Sequence, residues 1–143
     1  MKLVQIWNTR EAFARLSALK KPPKLAYRLL KYVRKFEVEL AACEAHRIKC
    51  VYEVAGLEPG TPGINLLPGT PEFDAFMVLF NLFLANDSDL EPVGIGMETL
   101  IEALDAEIGN TLSENDLALL EVFFTVKSPP DLKLVENVPG VTT

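Results

Sequence analysis

Apolar positions in the first half of the chain recur at alternating steps of four and three. Leu29, Val33, Phe36, Leu40, Cys43, Arg47, Cys50 and Val54 follow that spacing, the seam that one helix offers to another. A single long helix is therefore predicted from Pro22 to Ala55, opened by the Pro22-Pro23 pair and closed by Gly56. Further on, Thr70 reads as an N-cap with Pro71 at the first helical position, and Phe73, Phe76, Phe80 and Phe83 repeat at steps of three, four and three. This predicts a second helix from Pro71 to Asn86, laid antiparallel on the C-terminal half of the first as an αα-hairpin. The predicted hairpin interface comprises Leu29, Val33, Phe36, Leu40, Arg47, Phe73, Phe76, Phe80 and Phe83. Met77, Val78, Leu79, Leu82 and Leu84 fall on other sides of the second helix, which calls for a further cover.

The remaining elements are shorter. Lys2 to Trp7 alternates weakly and reads as a short strand; Asn8, with Glu11 three residues later, reads as the cap of a helix from Thr9 to about Leu19. Proline and glycine forbid regular structure from Leu57 to Gly69. Glu91–Gly96 reads as a short strand or extended segment, Met97–Glu107 as a helix, and Glu114 to about Phe124 as another helix, capped by Ser113 with Asp116. Ser128–Thr143 reads as an extended tail, with Leu132–Val135 a candidate edge strand. The expected fold is mainly α: an antiparallel helical hairpin with short additional helices and a small β element. A length of 143 residues suits one domain. It divides into a basic helical half (1–55), a Pro/Gly loop (56–70), an acidic helical half (71–127) and the tail (128–143).

Composition sharpens this picture. An apolar content of 49% and a mean hydropathy of +0.18 are high for a chain of net charge −6, and imply more hydrophobic surface than a small monomer hides easily. Self-association is the expected outlet. Residues 1–50 hold 12 Lys or Arg against 4 acids, a net +8, whereas residues 51–143 hold 2 against 16, a net −14. Such polarity favours contact between opposite halves, within one copy or between copies, and disfavours a dedicated nucleic-acid binder. Met1–Trp7 is too short for a secretory h-region, and Phe73–Ala85 is too short to span a bilayer. The chain is therefore expected to be soluble and intracellular when made, with no membrane association.

Candidate chemistry is sparse. Lys20, Lys21, Lys24, Arg28, Lys31, Arg34 and Lys35 form a basic face opposite the seam, with Tyr27 interleaved. It reads as a solvated helix face, a surface for an acidic protein or a neighbouring copy, or a nucleic-acid contact. Arg47 sits in the seam and needs a partner: Glu44, Asp74, or water reached by snorkelling. Cys43 and Cys50, seven residues apart on one helix, are too distant for a disulfide and read as reduced core thiols. With His46 the sole histidine, read as a surface residue, neither a His-based triad nor a His metal cluster assembles. Asp87, Asp89 and Glu91 alternate like the opening of a calcium loop, but Pro92 stands where glycine is needed. No catalytic residue, cofactor or metal is assigned, and the chain is read as a non-enzyme.

Between Trp7 and Lys49 the chain carries Lys21-x-Pro23, then Lys24-x-Ala26-Tyr27, then Arg34-Lys35, then Glu44-x-x-Arg47. In this third of its length it resembles small helical proteins encoded by tailed bacteriophages. Beyond it, where that family tends to a polar segment before an acidic helix, this chain has the Pro/Gly loop and the Phe-rich helix. The resemblance implies phage origin and supplies no catalytic residues. The resulting expectation is a self-assembling virion structural or assembly component, at the capsid, neck or tail, located in the virion or the host cytoplasm. Its partners would be itself and other virion proteins. The alternatives are a small soluble inhibitor or regulator that binds a host protein, or a DNA-binding helper.

Overall fold

Five α-helices and one 3-10 turn lie within residues 1–124, which the computed structural model describes. The expected tail, with its candidate edge strand, lies outside the described residues. The first helix, α1 (Leu3–Ala18), begins earlier than expected. Leu3, Ile6, Phe13 and Leu16 share one buried stripe, so continuing the helix back through Trp7 carries two more apolar side chains into the core. The reading of Lys2–Trp7 as a strand and Asn8 as a cap is overturned: Asn8 is an exposed mid-helix residue. Thr9, buried one position later, donates its hydroxyl to the Gln5 carbonyl at 2.7 Å. Leu3 N–H donates to the Asn86 carbonyl at 2.9 Å and Ser88 N–H to that of Met1 at 2.7 Å. These bonds leave Lys2 and Asp87 as an isolated antiparallel bridge, and no strand forms among the described residues. Glu91–Gly96 likewise contains none; its Val93 N–H donates to the Phe123 carbonyl at 2.9 Å.

The long helix α2 (Pro23–Ala55) runs 33 residues, about 50 Å at 1.5 Å per residue. Gly56 ends it in the left-handed region at φ +69°, where its N–H and that of Leu57 turn back onto the carbonyls of Glu53 and Tyr52. After the irregular 57–70 loop, Thr70 caps α3 (Pro71–Leu84), its hydroxyl accepting from Phe73 N–H at 3.2 Å. The chain then descends α2 in reverse order. His46 stacks on Phe83 with centroids 3.9 Å apart, Glu39 accepts from the Ser88 hydroxyl, and Tyr32 donates to the Glu91 carbonyl at 2.6 Å. This sequence of contacts makes α2 and α3 an antiparallel hairpin. His46 is accordingly half-buried, not the surface residue expected.

The hairpin interface is narrower than the heptad spacing suggested. Leu29 and Val33 line a groove with Leu16 of α1 and Leu19 just past its end, and Phe36 packs on Phe13 (4.4 Å between centroids) and Phe123 (5.7 Å). The N-terminal half of the seam therefore serves α1 and the C-terminal turn, leaving the lower half to α3. Two short helices complete the fold, α4 (Met97–Asp105) and α5 (Glu114–Leu120), the latter continuing as a 3-10 turn over Glu121–Phe123. Ser113 caps α5 by accepting the Asp116 N–H, and α5 lies on α1. Phe13, Phe36, Phe123 and Phe124 meet at the centre, none more than 2% exposed, with Leu100 of α4 and Leu120 of α5 fully buried.

Candidate interaction surface

α2 presents its basic row because its other face is committed to the core. Leu25, Leu29, Tyr32 and Phe36 are buried, which turns Lys24, Arg28, Lys31, Arg34 and Lys35 outward, and all five are exposed. Three ion pairs exist among the described residues, Lys2–Asp87, Arg15–Asp116 and Arg47–Glu44, and none involves this row. Lys31 lies over the Tyr27 ring at 5.5 Å. Lys21 does not belong to the row. Its ammonium folds back onto the last turn of α1, donating to the carbonyls of Leu16 (2.9 Å), Ser17 (3.3 Å) and Leu19, and burial lowers its pKa. Lys20 is exposed, its backbone held by the Asn110 side chain at 3.1 and 2.7 Å.

On the seam face of α2, opposite the row, α1 and α2 diverge to leave a hollow of about 510 Å³. Leu16, Leu19, Leu29, Leu30 and Val33 line it, with Lys21 and Glu37 among its polar walls. The helix–proline–proline–helix join creates it: the two helices cannot continue in line, and their apolar faces splay where they leave the turn.

The second feature is the outer face of α3. Pro71, Ala75, Val78, Leu82 and Ala85 follow steps of four, three, four and three, and every one is exposed. Val78 is 60% and Leu82 66% exposed, so the cover that this helix calls for is not supplied by the described residues. Its charges are Glu72 and Asp74 in the first turn; they favour the helix dipole and pair with no cation among the described residues. From Val51 to Val126 the chain holds 14 acids and no Lys or Arg.

Arg47 donates from Nε to both Glu44 carboxylate oxygens at 3.1 Å, resolving its partner. Hydrogen bonding from Arg47 holds Glu44 below its usual range. Arg47 also borders an aromatic hollow of about 390 Å³ between α1 and α3, lined by Trp7, Phe73, Phe76 and Phe80. Cys43 and Cys50 are buried free thiols whose pKa burial pushes up, away from the thiolate that nucleophilic or metal chemistry uses. No cluster of His, Cys, Asp and Glu able to hold a metal occurs among the described residues, and none of their helices is long and apolar enough to cross a membrane.

Sequence reading missed the Arg15–Asp116 pair, which joins α1 to α5 across 101 positions. It also missed the α1–α2 groove, which depends on the angle at the two prolines. Compared with protein-family models, curated proteins and solved structures, the chain matches none.

Proposed function

We propose that this chain is a non-enzymatic, self-assembling component of a tailed-bacteriophage particle, a structural or assembly protein of the capsid, neck or tail. The observation that carries the reading is the exposed apolar stripe of α3, whose Val78 and Leu82 stand in water on a helix almost free of charge. Leaving such a stripe bare costs about 25 cal/mol for each Å² of apolar surface, which association removes. The basic row of α2, which forms no ion pair among the described residues, and the net −14 of residues 51–143 add a long-range attraction between copies. The resemblance of Trp7–Lys49 to small phage proteins supplies the particle.

The test is the absolute mass of the purified chain by light scattering, at low and high salt. A defined oligomer that loosens with salt is the expected result, and an inventory of purified particles then locates it. A monomer at every salt concentration overturns the reading. It favours instead a soluble inhibitor of a host protein, in which the acidic half does the binding.

A further inference from the structure

We infer that copies join head to tail, the outer stripe of α3 on one seating in the α1–α2 groove of the next. The inference rests on the self-assembly reading above and specifies its contact. Shape is the first argument: the groove is an apolar concavity of about 510 Å³ walled by Leu16, Leu29, Leu30 and Val33. Its size suits compact apolar groups, and an apolar helix face in an apolar groove is a recurrent mode of docking. The stripe of Ala75, Val78 and Leu82 is a convex apolar face at helix spacing, and it belongs to the same chain.

Charge selects the occupant. Lys21 lines the groove, Lys20 precedes it, and Arg34 lies one turn beyond Leu30 on the same side of α2; Glu37 is the acid among the lining residues. The stripe is preceded by Glu72 and Asp74 and belongs to a stretch without a single base. Pairing α3 with α3 would press two convex, acid-flanked faces together, and pairing groove with groove would set two concavities against each other with nothing to fill either. The cross pairing fills the concavity and sets Glu72 and Asp74 beside the stripe against Lys20, Lys21 and Arg34 at the groove. Because the two patches differ, the contact is heterologous, and its repetition gives a ring where the rotation closes or a filament where it does not.

The test uses two variants of the full chain that disable opposite ends of this contact. Val78→Lys with Leu82→Lys places cations on the stripe, and Leu30→Lys places one in the groove; all three positions are 47–66% exposed, so the fold survives, as circular dichroism checks. Each variant alone is expected to be monomeric by light scattering. Mixed in equal amounts, the intact groove of the first takes the intact stripe of the second, and the mass doubles. Ala75→Lys, on the same stripe, should behave as the first variant. Variants that keep the wild-type mass, or a mixture that stays monomeric, overturn this contact and leave self-assembly standing. A wild-type chain that is itself monomeric at all concentrations overturns both.

Discussion

Asp116 is the one buried carboxylate among the described residues, 3% exposed, and it stays charged because its surroundings are arranged for charge. Arg15 donates to it from Nε at 2.8 Å and Nη2 at 2.7 Å, and these bonds hold its pKa below the ordinary 3.8. A carboxylate with a depressed folded pKa contributes its full stability above the unfolded value and loses it as pH falls through the folded one. Asp116→Asn should therefore lower the urea midpoint at neutral pH, and the gap from wild type should close below about pH 4 as the wild-type carboxylate protonates. A gap that persists unchanged into acid would mean the pair carries no such charge. Arg47→Met tests a second ion pair, Arg47–Glu44. Both partners there are more than a third exposed, so the change should stay within about 1 kcal/mol with the fold intact. Cys43 and Cys50, at 0% and 2% exposure, should react with a thiol reagent only as fast as the protein opens, a rate that urea raises.

The helices differ in how readily the sequence reveals them. α2 and α3 were legible because a long apolar period coincides with Pro and Gly at their ends; local and global preferences agree there. α1 was misread at its start. Asn8 is a good cap in isolation, but burial of Leu3 and Ile6, with the Leu3–Asn86 and Ser88–Met1 bonds, outweighs that local preference. The basic row was legible as a row, except for Lys21, whose lysine stem is long enough to reach the carbonyls ending α1. His46 on Phe83 and Arg15 on Asp116 were not legible, because nothing local marks partners 37 and 101 positions away. At this scale two substitutions separate backbone from packing. Gly56→Ala forces a side chain into φ +69° and should cost about 1 kcal/mol. Phe36→Ala, emptying the centre between α1, α2 and the last turn, should cost about 3–5 kcal/mol. Thermal melts that rank them in the opposite order would place the core elsewhere.

Across the molecule, charge and hydrophobicity are segregated in different ways. The core unites both halves of the sequence, with Phe13 and Phe36 meeting Phe123 and Phe124, whereas the basic row on α2 stands apart from Val51–Val126, a stretch with acids and no Lys or Arg. A surface so divided has a practical consequence for proteolysis. Trypsin cuts after lysine or arginine, so the chain from Cys50 to Lys127 offers it no internal bond, folded or unfolded, and must leave a digest as one long acidic piece. Short tryptic peptides can come from the first 49 residues or the last few, and a particle inventory has to be read from those. The same blindness makes trypsin a selective footprinting reagent: nicking at Lys24, Arg28 and Arg34 senses the basic row of α2 while the acidic half stays silent.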